Sequence, residues 1–274
     1  MSKALAPSKV MSRDPKGLKF MSIVEAAYNK AGLTEEEAQR VNDTPGLAEH
    51  VASFIAKSRQ PNQFEGEEVR SSYDYPPEYK GPRLIAEQIA AIAKIFGLDP
   101  AQALECAKKL PQRPEGAEGY FAFPSVDALA EKYFPEVTDP AEKYCRAIQL
   151  IHQKIAELRT FYNWREGQTV PAQLRLTART AEFLAKIVES QPGDILIIAA
   201  QLGKRHRGKS VRRAREVFVQ NEFGLGSLIV GSIALTHPER FVRSAELDMD
   251  CAGDEFDPAA DGSFDHAPCF VFAG

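Results

Sequence analysis

The chain has 274 residues, of which 44% are hydrophobic, and a formal net charge of −4. This length suffices for one large or two small domains with a substantial core. No apolar run approaches the ~20 residues that span a bilayer, and no apolar stretch follows the basic residues at the start. These features exclude a transmembrane helix and a secretory signal, so we expect a cytoplasmic protein with no membrane partner.

The cysteines favour the same compartment. No two of them form a Cys-x-x-Cys pair, and no combination of histidine and cysteine has the spacing of a zinc site. We therefore expect free thiols in a reducing environment, and neither a bound metal nor another cofactor. The cysteines are Cys106, Cys145, Cys251 and Cys269.

The charges are distributed unevenly along the chain. Residues 141–220 contain 15 lysines and arginines against 7 aspartates and glutamates, whereas residues 221–274 contain 2 against 10. An uneven charge distribution of this kind bears on binding partners and on contacts within the protein, and not on the fold. Two interpretations stay open: the basic segment contacts an external polyanion, or the two segments neutralise one another.

The first third of the chain predicts helices. Residues 1–19 contain basic residues with no apolar stretch behind them and are predicted to be a disordered leader. Ser22 with Glu25, and Thr34 with Glu37, have the spacing of capping boxes, which mark helix starts. A third amphipathic helix follows these two.

A break in this pattern occurs at residues 60–82. This segment contains several prolines and tyrosines without a helical period, which predicts a linker or a long surface loop. Helical spacing resumes over residues 84–96, and Asp99 with Pro100 begins another helix. We therefore predict a helical region over residues 20–110.

A mixed α/β domain is predicted over residues 118–274. Asp139, Pro140 and Glu142 form the strongest helix start in the chain, and the helix they begin is expected to reach about residue 160. The predicted fold class is therefore α+β (mixed α/β): a helical N-terminal part followed by a small mixed sheet flanked by helices. Strands are predicted at residues 120–123, 195–200, 247–251 and 269–272.

Residues 203–210 read Gly-Lys-Arg-His-Arg-Gly-Lys-Ser and fit the phosphate-loop pattern G-x-x-x-x-G-K-[ST]. They lie between a predicted strand and a predicted helix, as that pattern requires. Gly203 and Gly208 would allow the backbone to fold around phosphate, and amides at the helix start would face the anion. Lys209 would reach the terminal phosphates and Ser210 would hold magnesium.

A second motif supports this interpretation. Asp250 and Gly253, in the stretch Asp-Cys-Ala-Gly, resemble the D-x-x-G element of small GTPases. The resemblance implies a nucleotide hydrolase with nucleotide and Mg²⁺ as cofactors, and with Ser210 and Asp250 at the metal. The chain departs from that family because the loop interior is bulky and charged, and because no N-K-x-D element follows.

A second interpretation of the same loop is purely electrostatic. Seven cations fall within twelve residues, which favours contact with a phosphate backbone without base reading. Upstream, Trp164 and Arg165 are candidates for stacking on single-stranded bases, whereas Phe161 and Tyr162 are expected to belong to the core. The seven cations are Lys204, Arg205, Arg207, Lys209, Arg212, Arg213 and Arg215.

Three function classes follow. Our primary prediction is a nucleic-acid-binding protein that contacts DNA or RNA phosphates through residues 203–215. The alternatives are a P-loop nucleotide hydrolase and a non-enzymatic structural or interaction protein whose charged segments neutralise one another, within one chain or in a homo-oligomer. The sequence does not establish whether the protein is an enzyme.

The C-terminal half also resembles a family of uncharacterised bacterial proteins. That resemblance implies a bacterial or phage-related source and hence a cytoplasmic location, and it implies no activity. The stretches that carry it are residues 118–122, 210–215, 221–226 and 236–240.

Overall fold

The computed structural model describes residues 11–58, 63–244 and 246–272. It contains two compact units, Met1–Pro61 and Asn62–Gly274. Each unit has its own organisation, and the candidate site lies in the second. No helix in the described part of the chain combines the length and apolarity that crossing a membrane requires.

The described residues of the first unit form three helices. Pro15 occupies the first turn of the first helix, where its fixed φ is favourable, so this helix begins before the predicted cap at Ser22. The predicted leader is therefore wrong at residues 15–19, which are helical; residues 1–10 lie outside the described part. The capping box of Thr34 and Glu37 is confirmed. The helices are α1 (Pro15–Ala31), α2 (Glu35–Asn42) and α3 (Leu47–Ser58).

The second unit is built around an antiparallel strand pair. Strand β1 (Gly119–Pro124) pairs with β3 (Ile195–Ala200), with Gly119 opposite Ala200 and Pro124 opposite Ile195. The continuous apolar run of β3 is almost entirely buried, as predicted for a strand covered on both faces. Two shorter antiparallel pairs join β2 (Leu174–Leu176) to β5 (Asp254–Phe256), and β4 (Met249–Asp250) to β6 (Cys269–Phe270). The predicted α+β class is confirmed.

Helices surround these strands. The central one, α10, is apolar on every face and all ten of its residues are buried. The second-unit helices are α4 (Ile85–Phe96), α5 (Ala101–Ala107), α6 (Val126–Tyr133), α7 (Pro140–Leu158), α8 (Ala178–Ser190), α9 (Val211–Val217) and α10 (Ser227–Thr236).

Helices α4 and α5 belong to the second unit and do not join α1–α3 in one helical region. The buried stripe of α4, which includes Ile89, Ile92 and Phe96, packs against β1, and α5 packs against β3. An amphipathic helix must bury its apolar stripe against another element, and here the strand pair provides that surface. The structure therefore places a division near residue 61 instead of between residues 110 and 118.

Helix α7 begins as predicted, because the Asp139 carboxylate accepts a hydrogen bond from the Glu142 amide at 2.8 Å. It ends at Leu158, earlier than expected. The helical period therefore no longer directs Tyr162 inward, and 73% of this side chain is exposed. The core assignment of Tyr162 is wrong, whereas Phe161 is half-buried and stacks on Phe270.

A fully buried carboxylate, that of Asp254, connects several elements of the second unit. One of its oxygens accepts the Tyr144 hydroxyl of α7 at 2.6 Å, and the other accepts the Ser227 amide at the start of α10, also at 2.6 Å. Arg215 of α9 donates to the backbone carbonyls of Ala252 and Asp254. Burial raises the pKa of Asp254 to about 6, against the opposing effect of its hydrogen bonds from Ser227 and Tyr144.

We predict that Asp254→Asn destabilises the protein. The NH₂ group of asparagine cannot accept a hydrogen bond, so either the Tyr144 hydroxyl or the Ser227 amide loses its buried acceptor. This loss lowers the free energy of unfolding by roughly 1–3 kcal/mol at pH 7. The pKa of Asp254 is higher in the folded protein than the ~3.9 of an unfolded chain. The part of the wild-type stability that comes from this raised pKa is therefore greatest below pH ~4 and is lost as the pH rises through about 6, whereas the hydrogen bonds that the charged carboxylate accepts are present at pH 7.

Urea unfolding of wild type and Asp254→Asn between pH 4 and 7 measures this effect, because other titrating groups cancel in the difference. The wild-type advantage should shrink as the pH rises through this window. Tyr144→Phe is the control: it keeps the carboxylate but removes a hydrogen bond that lowers its pKa, so its stability should still fall as the pH rises. A wild-type advantage over Asp254→Asn that is constant or grows with pH contradicts the assignment.

Candidate phosphate site at the basic loop

Residues 203–210, here called the basic loop, follow β3 and precede α9, in the predicted context. Lys204–His206 form a 3₁₀ turn, and the Ser210 hydroxyl caps α9 by accepting the Arg213 amide at 3.1 Å. Gly208 has φ +79°, and a Cβ there would lie 2.1 Å from the carbonyl oxygen of Val69. The glycine at position 208 is therefore required by the close approach of another chain segment, whether or not a phosphate binds.

Most backbone amides of the loop have partners within the protein. The Gly203 and Arg205 amides both donate to the Gln201 side chain, and the Lys204 amide donates to the Tyr75 hydroxyl. The amides of His206, Lys209 and Ser210 donate to the carbonyls of Gly203, His206 and Glu67, respectively. These amides do not form the anion-binding nest that the phosphate-loop pattern predicts.

Residues 63–68 (Gln-Phe-Glu-Gly-Glu-Glu), here called the acidic segment, occupy the predicted phosphate position. The Glu67 carboxylate accepts the Ser210 hydroxyl at 2.6 Å and Arg212 Nε at 2.7 Å. Glu68 pairs with Lys209 Nζ at 2.8 Å and with Arg213 Nε at 3.2 Å. The two side chains expected to hold phosphate and magnesium, Lys209 and Ser210, are thus bound to carboxylates of the same chain.

These interactions also affect the ionisation of the acidic segment. The Arg212 guanidinium, and then the Ser210 hydroxyl, hold the pKa of Glu67 below its ordinary value. The Lys209 ammonium has the largest effect in lowering the pKa of Glu68. Both carboxylates are therefore charged at neutral pH and neutralise cations of the loop and α9.

The acidic partners come largely from a different segment than expected. The sequence suggested residues 221–274, of which Glu222 contacts the loop, pairing with Arg205 at 3.0 Å and with His206 at 2.7 Å. The other partners precede β1: Glu67, Glu68 and also Asp74, which pairs with Lys204 at 2.5 Å. Residues 63–82, expected to be a linker or surface loop, supply these carboxylates.

Three of the seven predicted cations are largely buried. Only 16% of the Lys209 side chain and 10% of the Arg213 side chain are exposed, and Arg213 pairs with Glu216 as well as with Glu68. Arg215 is held by the backbone carbonyls near Asp254. Their role in this arrangement is to join α9 to neighbouring segments.

The other four cations face solvent. Arg212 and Lys204 are 59% and 45% exposed, and Arg205 is exposed as well. Arg207 donates to the Tyr73 carbonyl at 3.2 Å and forms no ion pair among the described residues, although its charge acts on the nearby Asp74 carboxylate. Exposed ion pairs contribute little to stability, so these four side chains can exchange their partners for external anions.

A cavity of about 600 Å³ opens beside the basic loop. Its size lies within the range of small-ligand sites. Arg205, Arg207 and His206 contribute to its wall together with apolar residues such as Phe218, whose ring lies 5.3 Å from that of His206. No sequence motif marks this cavity, because its wall combines segments that are distant along the chain.

Asp248 and Asp250 also line the cavity. Neither side chain forms a hydrogen bond or ion pair within the part of the chain that the structure describes. Burial raises the pKa of both groups, and the charge of Asp248 further raises that of Asp250. Ser210, the predicted metal partner of Asp250, is bound to Glu67 instead, and the described residues contain no cluster of three metal-ligating side chains.

Trp164 and Arg165, the other predicted contacts, lie after the end of α7. Trp164 is 84% exposed and packs beside Tyr162, with ring centroids 6.4 Å apart. The Arg165 guanidinium lies over the Phe256 ring at 5.3 Å. No contact described in the structure joins these residues to the basic loop.

Comparison with known proteins provides no assignment. No protein-family model matches the chain, and neither a curated protein nor a solved structure matches it significantly. The resemblances to bacterial proteins and to GTPase motifs stay predictions. The evidence on function is therefore the geometry of the basic loop and of the cavity beside it.

We predict that two neighbouring arginines of α9 differ in their effect on stability. Arg213→Met should lower the midpoint of thermal unfolding by several degrees, because it removes a buried side chain that has two carboxylate partners. Arg212→Met, which removes an exposed partner of Glu67, should change the midpoint little. Differential scanning calorimetry of both variants tests this, and equal shifts would contradict the division of the cations by burial.

Proposed function

We propose that the protein binds the phosphate backbone of a nucleic acid through four cations: Lys204, Arg205, Arg207 and Arg212. The observation that carries the proposal is their joint exposure on the basic loop and the start of α9. Arg207 in particular forms no ion pair among the described residues. Lys209 and Arg213 are largely buried and pair with Glu68, so we do not expect them to contact the ligand.

A polyanion competes well for such cations. Each exposed internal ion pair is weak, whereas a nucleic acid presents several phosphates at once and releases counterions on binding. Phosphate contacts carry no sequence information, so the proposal covers both DNA and RNA. The exposed rings of Tyr162 and Trp164 provide a surface on which unpaired bases can stack.

The nucleotide-hydrolase alternative receives less support from the geometry. Lys209 and Ser210 are engaged by Glu68 and Glu67, and β3 pairs antiparallel with β1. A structural role without an external ligand agrees with the internal ion pairs, but it leaves exposed Arg207 without an ion pair of its own among the described residues. The variants below separate these functions.

We predict that replacing Lys204, Arg205, Arg207 and Arg212 by glutamine weakens binding to duplex DNA at least tenfold at low salt. The slope of log K against log salt should fall by roughly 0.9 for each phosphate that the protein no longer neutralises. Fluorescence anisotropy across a salt series measures both quantities. The matched control also removes four charges: it replaces the exposed, ion-paired Lys108, Arg146, Arg175 and Lys186 by glutamine and should retain most of the affinity.

Unchanged affinity in the folded quadruple variant would contradict this function. An equal decrease in the control would show that net charge, and not this surface, determines binding.

We also predict that Glu67→Gln with Glu68→Gln strengthens nucleic-acid binding several-fold. Glutamine keeps a hydrogen-bond acceptor near Ser210 and Lys209 but removes two negative charges beside the proposed contact surface. The same anisotropy assay measures the effect, with circular dichroism to verify folding. The control, Glu105→Gln with Glu182→Gln, makes the same change in net charge at two ion pairs elsewhere. An equal gain in affinity in that control, or no gain in the test variant, would contradict the idea that Glu67 and Glu68 compete with the nucleic acid for the cations.

A further inference from the structure

The cavity beside the basic loop combines three kinds of surface. Cationic side chains, Arg205 and Arg207, stand at the loop; apolar side chains, including Val211 and Phe218, form part of the wall; and carboxylates line it elsewhere. A volume of about 600 Å³ with this composition suits a ligand that has an anionic group, an apolar body and hydrogen-bond donors. A purely anionic or purely apolar ligand would leave one of these surfaces unmatched.

The carboxylates of Asp248 and Asp250 narrow the choice of ligand. Most other acidic side chains near the loop form an ion pair, whereas these two form none among the described residues. The charge of the buried Arg240 guanidinium lowers the pKa of Asp248, but these side chains are not paired. The two aspartates precede and occupy β4, two positions apart, and therefore lie on one face of the extended chain. Both carboxylates are exposed to solvent on the cavity wall, so they are accessible to a ligand that brings N–H donors.

We infer that this cavity receives one nucleotide unit, with its phosphate at Arg205 and Arg207 and the N–H donors of its base at Asp248 and Asp250. The inference rests on the proposed function and extends it from backbone contact to base contact. Guanine, adenine and cytosine carry exocyclic amino groups that can donate hydrogen bonds to a carboxylate, whereas uracil offers only its ring N3–H. The nucleotide belongs either to a strand that crosses the basic loop or to the free pool, and the two sources share this chemistry.

The test compares a short single-stranded oligonucleotide that contains guanine, adenine and cytosine with an abasic strand of the same length. Wild type should bind the base-containing strand several-fold more tightly. Asp248→Asn with Asp250→Asn should abolish this ratio, because each asparagine has one acceptor oxygen in place of two. The control Glu136→Gln with Glu189→Gln makes the same change in net charge at exposed positions and should keep the ratio.

A second arm titrates the four ribonucleoside 5′-monophosphates and follows the backbone amides of residues 247–252 by NMR. Perturbation of these amides by GMP, AMP or CMP, weaker with UMP and reduced in the aspartate variant, supports the inference and shows that a free nucleotide suffices. Perturbation by the base-containing strand alone supports it and identifies a strand as the source.

The outcomes separate the two proposals. Equal binding of base-containing and abasic strands by wild type overturns the cavity inference and leaves backbone binding intact. Binding of monophosphates without binding of any strand overturns the proposed function and leaves the cavity inference standing. A ratio that persists in the aspartate variant assigns the base contact elsewhere and overturns the inference.

Discussion

The buried Asp254 carboxylate is the constraint on which the candidate site depends. It fixes the start of α10 through Ser227 and ties that start to α7 through Tyr144. Its backbone carbonyl also accepts Arg215, which holds α9 in place. The residues just before Asp254 form β4 and part of the cavity wall. This buried acid therefore helps to position both α9, which carries Arg212, and the cavity wall that contains Asp248 and Asp250.

The basic loop shows that one sequence pattern is compatible with different geometries. Its glycines, lysine and serine stand in the order of a phosphate loop, but Glu67 and Glu68 occupy the place of the anion. A carboxylate pair can satisfy the same hydroxyl and ammonium groups that a phosphate would, since both present charged oxygen acceptors. The pattern thus predicted the kind of group that binds there and could not identify its origin.

The parts of the fold that were predictable depend on local chemistry. The capping residues Thr34 and Asp139, the apolar run of β3 and the amphipathic stripe of α4 all act within a few residues of themselves. The partners of Glu67, in contrast, lie more than 140 positions away, and no periodicity or capping rule links the two segments. For the same reason the cavity beside Asp250 could not be predicted. The core assignment of Tyr162 failed for a local reason, because α7 ends at Leu158 and the helical period does not continue to Tyr162.

Burial, more than charge count, determines what the seven cations can do. A guanidinium such as that of Arg213 has given up most of its hydration and is compensated by fixed carboxylates, so removing it from them would leave uncompensated charges in the protein. Arg212, one residue earlier, keeps its hydration and exchanges one anion for another at little cost. Successive positions on one short helix therefore separate into a structural cation and an available one. The electrostatic surface offered to a phosphate backbone is therefore smaller than the sequence suggests: it consists of Lys204, Arg205, Arg207 and Arg212 instead of all seven cations.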